Sequence, residues 1–280
     1  MNTWWTRRDF LAISIASGLT IPGCKAHMDT NSRLTYSQKV LAKHPVGYWR
    51  LGEANGPTAV DVSKQGHDGS YHGATVFGET GATGDDTAIK IDGRSSYVEI
   101  PDSVEFSQPT SGRGLTVEVW MRPDLLVFPG ETSDPYIHWL GKGEAGRYEW
   151  GFRFYSHESS RPNRISAYIW NASGAEGSGA YFQDAVEVGK WIHVAACYDP
   201  GDRNNPQAGV SIYTNGMLRG SPASQHGALY KSFDIMPAHG PAPLRLGTRD
   251  LKSFLTGGLD EVAIYPRVLT GAEIQDNYSA

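Results

Sequence analysis

The sequence predicts an all-β protein, a two-sheet antiparallel jelly-roll sandwich. Short runs of β-branched and aromatic residues are separated by Gly, Asn, Asp and Pro along most of the chain. The chain carries 33 Gly, 14 Tyr and 8 Trp, and it contains few long helical periodicities. Strands that follow one another without intervening helices pair antiparallel and close into two packed sheets.

Residues 1–23 are predicted to be a twin-arginine export signal. Arg7 and Arg8 precede an apolar run that is too short for a membrane span, which needs about 20 apolar residues. Cys24 is predicted to carry a lipid anchor, and simple cleavage nearby is the alternative. Residues 24–43 are then a polar tether, and we expect a periplasmic or cell-surface lipoprotein.

The charge of the exported chain limits its partners. Removal of the signal leaves 23 basic and 29 acidic residues, a formal net charge of −6. This mild acidity, without any Lys/Arg-rich run, argues against nucleic acid and against contact with a membrane other than through the lipid anchor. With Cys24 lipidated, Cys197 has no partner for an internal disulfide, and its apolar strand context predicts a buried, inert thiol.

Residues 44–280 are predicted to form one domain. In order, the predicted strands are 46–51, 88–92, 96–100, 115–123, 136–142, 148–155, 164–170, 191–199, 209–220, 244–248 and 257–266. Asn215 and Gly216 tolerate positive φ and divide the 209–220 segment into a hairpin. The one predicted helix, 270–279, begins at Thr270, which has Glu273 three residues later as in a capping box.

The order of these segments resembles the laminin G-like, concanavalin A-type jelly rolls of bacterial surface proteins. The resemblance covers about residues 44–280, and its motifs are VGYWRLGE, IDGRSSYVEIP, LTVEVWMRP, WIHVAACYD followed by IYTNGML, and GGLDEVAIYPRVLTGAEI. It implies a sandwich with one concave face, and it implies binding more often than catalysis. The expected partner is therefore a polysaccharide or a glycoprotein.

Asp260 and Glu261 lie side by side in the last predicted strand. A period of two directs them to opposite faces, which argues against a catalytic pair acting on one bond. The same alternation places Leu259 with Glu261, and Asp260 with Val262 and Ile264. An acid in such apolar company is expected to meet backbone donors or a cation.

The resemblance also implies a structural calcium ion that joins the N-terminal segment to the last strand. Carried over to this sequence, its ligands are Glu53, the backbone carbonyl of Gly93, and Asp260. Calcium readily combines carboxylate and carbonyl oxygens from distant segments. The alternative is that Asp260 hydrogen-bonds a neighbouring loop, and the sequence leaves both open.

Two enzyme classes share this architecture. Laminarinase-type glucanases carry three acids alternating on one strand, whereas the candidate strands here each carry one acid, Glu118 or Glu149, which argues against glycoside hydrolysis. Alginate-type lyases carry Gln-Ile-His on an inner strand, and this chain has Tyr-Ile-His ending at His138. With Arg153 and Tyr155 on the next strand, a lyase acting on a uronate-containing polymer is an alternative function.

A binding surface is predicted on two neighbouring strands. Alternation in 148–155 directs Tyr148, Trp150, Phe152 and Phe154 into the core. If this strand and 164–170 are neighbours, Arg153, Tyr155, Tyr168 and Trp170 form one surface on the other face. Aromatic rings beside polar groups are typical of ligand sites, so the sequence predicts a non-catalytic module that binds carbohydrate or glycoprotein. In the alternatives, the Gly-rich loop 171–182 covers these residues as a second small core, or the chain is a structural envelope module that contacts another protein.

Overall fold

The computed structural model describes residues 34–84, 86–107, 114–129, 135–144, 146–171, 177–200, 209–221, 228–229, 235 and 238–280. The predicted signal and Cys24 lie outside these residues. The described chain folds into two antiparallel sheets, which confirms the predicted jelly-roll sandwich. No helix within these ranges is long and apolar enough to cross a bilayer.

Sheet A holds eight strands in the described chain, numbered here with those of the other sheet along the sequence. They are β1 (Gly47–Trp49), β4 (Val76–Thr80), β5 (Thr87–Asp92), β7 (Leu115–Pro123), β12 (Ile192–Asp199), β13 (Gly209–Thr214), β14 (Met217–Gly220) and β17 (Thr256–Tyr265). Their order is β14-β13-β12-β7-β17-β5-β4, and β1 pairs with β17. The last strand, β17, therefore lies in the interior of the sheet, between β7 and β5.

Sheet B holds the other nine strands. They are β2 (Thr58–Ala59), β3 (Gly69–His72), β6 (Tyr97–Ile100), β8 (Tyr136–Glu144), β9 (Arg147–Tyr155), β10 (Ile165–Trp170), β11 (Gly177–Phe182), β15 (Ala228–Leu229) and β16 (Leu244–Leu246). Their order is β15-β11-β10-β9-β8-β16-β6-β3-β2. The predicted neighbours 148–155 and 164–170 are adjacent as β9 and β10.

The hydrophobic core fills the space between the two sheets. Val117 and Val119 of β7 belong to the same buried cluster as Trp150, Phe152 and Phe154 of β9. Three of the four aromatic residues that alternation predicted to face inward, Trp150, Phe152 and Phe154, therefore do so. Because strand side chains alternate, this arrangement fixes the remaining residues of β9 on the outer face of sheet B.

The outer face of sheet A is covered by two helices, α1 (Tyr36–Ala42) and α2 (Gly271–Tyr278). Helix α2 begins at Thr270 with the predicted capping box to Glu273. Cys197 is buried in this layer, and burial raises the pKa of its thiol to about 12, as an inert cysteine requires.

The predicted tether 24–43 is corrected at its C-terminal end. The compact unit begins at Leu34, and α1 is part of it. Thr35 and Gln38 form a capping box, and the Tyr36 and Val40 side chains, one turn apart, are both buried. A polar tether would expose both of these residues.

The predicted loop 171–182 is also corrected. Residues 172–176 lie outside the described residues, but 177–182 form β11, which pairs with β10. Gly177 and Gly179 made this segment read as a loop, because glycine is depleted in strands. Four short strands, β2, β3, β4 and β15, were likewise not predicted, and the 3-10 helix Val104–Phe106 was not predicted either.

Candidate functional site

A layer of aromatic and basic side chains lies on the outer face of sheet B. Strands β8, β9 and β10 bring its members together, since Arg153 pairs with His138 on one side and Ser166 on the other. We call this layer the aromatic-arginine face, and its residues are Tyr136, His138, Tyr148, Arg153, Tyr155, Tyr168, Trp170 and Arg249. The four predicted binding residues are all members of it.

Glycines in the sheet make room for the large side chains of this face. A Cβ atom on Gly179 would lie 2.9 Å from the Tyr168 ring, and one on Gly177 would lie 3.1 Å from the Trp170 ring. A Cβ on Gly141 or Gly151 would lie 3.1 or 3.2 Å from Cδ of Arg249. The rings and the arginine stem can therefore lie flat across the strands, in close contact with the backbone.

Arg153 is at the centre of the face. Its guanidinium carbon lies 4.3 Å from the ring centre of Tyr168, 4.8 Å from that of Tyr136 and 5.6 Å from that of Trp170. Its Nε–H donates to Nε2 of His138 over 2.9 Å. These are cation–π contacts, which fix the positive charge among three rings.

His138 is neutral in this setting. Burial first, and then the positive charges of Arg249 and Arg153, lower the pKa of its imidazole to about 2. Nε2 accepts from Arg153, and Nδ1 lies 3.6 Å from Oδ2 of Asp250. The ring nitrogen that carries a lone pair is thus already used, which does not suit a general base.

The other residue of the lyase alternative, Tyr155, is packed inside the face. Its hydroxyl lies 3.3 Å from that of Tyr168, and 1% of its surface is exposed. Tyr168 and Trp170 are 4% and 7% exposed, so the rings do form a packed layer, as the second-core alternative expected. Tyr136, Tyr148 and Arg153 remain half-buried and give the face an accessible rim.

Three members of the face were not predicted: Tyr136, Tyr148 and Arg249. Arg249 lies in the loop after β16, and loop residues have no periodicity that shows where they point. One signal was present in Gly151, because an isolated glycine inside a strand marks the close approach of another group. Tyr148 was assigned to the core set by alternation, but β9 shifts register against β8 near its start, so Tyr148 contacts Trp170 and Arg249 instead.

Asp260 and Glu261 occupy a β-bulge, which corrects the predicted alternation. The register of β17 against β7 shifts between Asp260 and Ala263, and Glu261 has φ of 53°. Asp260 is paired with Trp120 of the helix-covered layer, while Val262 joins the core between the sheets. The extra residue of a bulge resets the faces, so Asp260 and Val262 are not on one side as predicted.

Both carboxylates are fully buried. Glu261 accepts from the Tyr48 hydroxyl and from the Arg50 guanidinium, whose Nη2 lies 3.0 Å from Oε1. Arg50 also pairs with Asp86 at 3.1 Å. Burial raises the pKa of Glu261 to about 7.

The carboxylate of Asp260 has fewer hydrogen bonds than that of Glu261. Oδ2 accepts from the backbone N–H of Ala82 at 2.7 Å, whereas Oδ1 is buried without a partner. Burial first, and the charge of Glu261 second, raise the pKa of Asp260 to about 8. An orphaned, buried carboxylate oxygen is an unusual feature of a folded protein.

The predicted calcium ligands Glu53 and Gly93 have contacts with other groups. Glu53 accepts from the backbone N–H of Val60 at 2.8 Å and from the Tyr71 hydroxyl at 2.5 Å. Gly93 lies against Thr256, which precedes Asp260 by four residues along β17. In the described part of the chain, no group of three or more His, Cys, Asp or Glu side chains is arranged to hold a metal ion.

A family model described as the concanavalin A-like lectin/glucanases superfamily, Laminin_G_3, matches residues 92–275, well over half of the chain. No curated protein matches the chain in sequence. The matched segment contains β8 to β11 and Arg249, and so the whole aromatic-arginine face.

Solved structures share the fold at low sequence identity. The binding domain of botulinum neurotoxin DC in complex with SialylT is 10% identical with a TM-score of 0.61, over 85% of this chain and 52% of that one. The receptor binding domain of botulinum neurotoxin C/D mosaic serotype is 12% identical with a TM-score of 0.61, over 84% and 51%. Domain 4 of AbnA, a GH43 extracellular arabinanase from Geobacillus stearothermophilus, in complex with arabinotriose, is 18% identical with a TM-score of 0.56, over 84% and 98%. The chain thus spans about half the length of the neurotoxin domains, and at these identities the likeness is one of fold.

Proposed function

The chain belongs to the concanavalin A-like lectin/glucanases superfamily, and from this premise we propose that it is a non-catalytic module that binds a polysaccharide or glycoprotein. The observation that carries the proposal is the aromatic-arginine face. Aromatic rings stack on the C–H faces of sugars, and charged donors beside them bind hydroxyl or acidic groups. The arabinanase domain of the same fold is a precedent, since it was solved with arabinotriose bound.

Recognition fits this face better than catalysis. Hydrolysis of a glycosidic bond requires two carboxylates flanking the bond. Among the described residues, Asp250 is the carboxylate in contact with His138 and Arg249. A lyase would need His138 as a base, but its acceptor nitrogen is bonded to Arg153.

The experiment is retention of the purified protein on a panel of immobilised neutral and acidic polysaccharides. Trp170→Leu removes the ring but keeps an apolar side chain, and Trp191→Leu on sheet A is the matched control. We expect retention on one polymer class that Trp170→Leu weakens at least tenfold and Trp191→Leu leaves unchanged. Retention on no polymer would contradict the proposal and favour a structural module that contacts another protein.

The module is proposed to act outside the cytoplasm. Arg7 and Arg8 support export through the twin-arginine route, and Cys24 supports attachment to a membrane by lipid. Cys24→Ser should move the protein from the membrane fraction to the soluble fraction. An unchanged distribution would contradict the anchor without affecting the sugar-binding proposal.

A structural calcium ion is proposed at Asp260, where Oδ1 would supply one ligand. The fit rests on that orphaned oxygen, with the backbone carbonyl of Asp86 near Gly81 as a second oxygen source. Glu53, whose carboxylate accepts from Val60 and Tyr71, and the backbone carbonyl of Gly93 are the other ligands that the sequence predicts. Calcium, compared with EDTA, should raise the melting temperature of the wild type but not of Asp260→Asn. An equal response of both proteins would contradict the site.

A further inference from the structure

Arg249 is a buried arginine on the outer face of sheet B. Its stem crosses Gly141 and Gly151, and 1% of the residue is exposed. The guanidinium carbon lies 3.9 Å from the ring centre of Tyr148 and 5.0 Å from that of Trp170. The planar group is therefore held against two rings of the aromatic-arginine face.

The guanidinium is only partly hydrogen-bonded. Nη2 lies 3.4 Å from Oδ2 of Asp250, at the limit of a hydrogen bond. Nε and Nη1 are buried and have no partner. An arginine cannot give up its charge, and unpartnered N–H groups of a buried cation are strongly unfavourable unless another group meets them.

The face also carries an excess of positive charge. Burial first, and repulsion from Arg153 in addition, lower the pKa of Arg249, so the two guanidiniums are close enough to repel. The contacts of Arg153 are with rings and with the neutral His138. For these two cations the described residues offer one carboxylate, that of Asp250.

The unpartnered donors point to the chemistry of the ligand. Nε–H and Nη–H groups of a guanidinium form a planar fork that matches the two oxygens of a carboxylate or a sulfate. Neutral sugars offer hydroxyl groups, which neither match this fork nor neutralise the charge. Tyr136, Tyr148 and Arg153 form a half-buried rim, and a sugar would reach the buried N–H groups by displacing this rim.

We propose, building on the sugar-binding function above, that the ligand is an acidic glycan whose carboxylate or sulfate group pairs with one edge of the Arg249 guanidinium, through Nη2 and either Nε or Nη1. The rings of Tyr148 and Trp170 hold the guanidinium in place and contact the apolar side of the same sugar. Arg153 supplies a second positive charge for an adjacent acidic residue of the polymer.

The test compares polymers that differ in charge alone. Binding is measured by titration calorimetry with polygalacturonate and its fully methyl-esterified form, and with dextran sulfate and dextran. We expect at least one acidic polymer to bind tenfold or more tightly than its neutral counterpart, and added salt to weaken that binding. The pair that shows the difference identifies the anion as carboxylate or sulfate.

Substitutions then locate the contact. Arg249→Met should weaken binding of the acidic polymer at least tenfold, and Arg249→Lys, which keeps the charge but not the fork, should weaken it less. Arg267→Met on the sheet A side is the matched control and should have no effect. Circular dichroism establishes that each variant is folded.

The outcomes separate this inference from the function on which it rests. Equal binding of neutral and acidic polymers, weakened by Trp170→Leu but not by Arg249→Met, would overturn the acidic-glycan inference and leave sugar binding intact. Binding of no polymer would overturn both. Acid-selective binding that Arg249→Met does not change would overturn the assignment to Arg249.

Discussion

Both sheets carry a buried layer of polar and aromatic side chains on their outer faces. The two layers differ in whether the hydrogen bonds of a buried ionisable side chain are satisfied within the chain. On sheet A, under α1 and α2, Glu118 accepts from Nε2 of His193 at 2.7 Å, from the Tyr265 hydroxyl at 3.0 Å and from Nδ2 of Asn277 at 2.8 Å. Both oxygens of the acid are thus satisfied within the chain. On sheet B, Arg249 keeps two buried N–H groups without partners.

We interpret this difference as that between a structural layer on sheet A and the binding layer proposed on sheet B. A buried charge that the fold itself satisfies stabilises the packing of the elements around it, here the C-terminal helix against sheet A. A buried charge that the fold leaves unsatisfied lowers stability and is expected where a ligand completes it. Unpartnered atoms also occur in the sheet A layer. The Tyr36 hydroxyl and the Trp120 ring N–H belong to neutral groups, and Oδ1 of Asp260 is the carboxylate oxygen at which calcium is proposed.

The largest effect is expected from Glu118→Ala. This change leaves His193, Tyr265 and Asn277 buried without their common acceptor, and should lower the free energy of unfolding by about 3–5 kcal/mol. Denaturant unfolding measures it, and Glu187→Ala, an exposed control, should stay within about 0.5 kcal/mol of the wild type. A loss below about 1 kcal/mol would contradict a structural role for the Glu118 layer on sheet A.

The bulge on sheet A should give stability a negative dependence on pH. The pKa of Asp260 is about 8 in the folded protein, against about 4 for an ordinary aspartate. Between these values the folded state holds a proton that the unfolded state releases, so stability falls as pH rises from about 4 to 8. Each pKa unit corresponds to about 1.4 kcal/mol, and Asp260→Asn should remove this part of the slope.

The measurement is the urea midpoint in EDTA at pH 5 and pH 8. The pKa of Glu261, about 7, acts in the same direction, so some slope should remain in the Asp260→Asn variant. A slope that is equal in wild type and variant would show that Asp260 does not carry it.

His138 on sheet B should produce the opposite slope. Its pKa is about 2 in the folded protein, against about 6.5 for an ordinary histidine. Below pH 6.5 the unfolded state binds a proton that the folded state does not, so stability falls as pH falls. Urea unfolding of His138→Gln at pH 4.5 and pH 7 should show a smaller fall than the wild type. The exposed His157→Gln is the matched control, and a fall in His138→Gln as large as that of the wild type would contradict the buried, neutral state.

The smallest change in stability is expected from Arg249→Met, and its sign is what matters. Replacing a poorly paired buried charge with an apolar side chain of similar length should leave the free energy of unfolding unchanged or raise it by about 1 kcal/mol. The changes in the free energy of unfolding caused by Arg249→Met and Glu118→Ala should then have opposite signs, or the first should be zero. Both are measured by denaturant unfolding. A loss above about 1 kcal/mol would show that Arg249 stabilises the fold, as Glu118 does.

Much of this arrangement could be predicted from the sequence. The alternation in β9 and β10 separated Phe152 and Phe154 from Arg153 and Tyr155, because a strand has a fixed period of two. The rule failed at Glu261, where a bulge inserts an extra residue into β17. The side chains that meet Glu261 there, Tyr48 of β1 and Arg50 just after it, come from a distant part of the sequence.

Other features depended on contacts that no local pattern contains. Arg249 could not be assigned to the site, because only the folded chain places its loop across Gly141 and Gly151. The short α1 helix carried a readable signal in Thr35 and Gln38, a capping box that its polar surroundings obscured.

The most direct test of the account is an NMR spectrum of the arginine side-chain Nε–H groups in the ¹⁵N-labelled protein. It is recorded while an oligosaccharide of the polymer class that retains the protein is added. The signals are assigned from those lost in the single arginine variants. The account predicts that the signals of Arg153 and Arg249 shift, while those of Arg50 and Arg267 beside sheet A do not. Shifts confined to Arg50 or Arg267, or no shift of Arg153 and Arg249 at saturating sugar, would contradict a binding site on the outer face of sheet B.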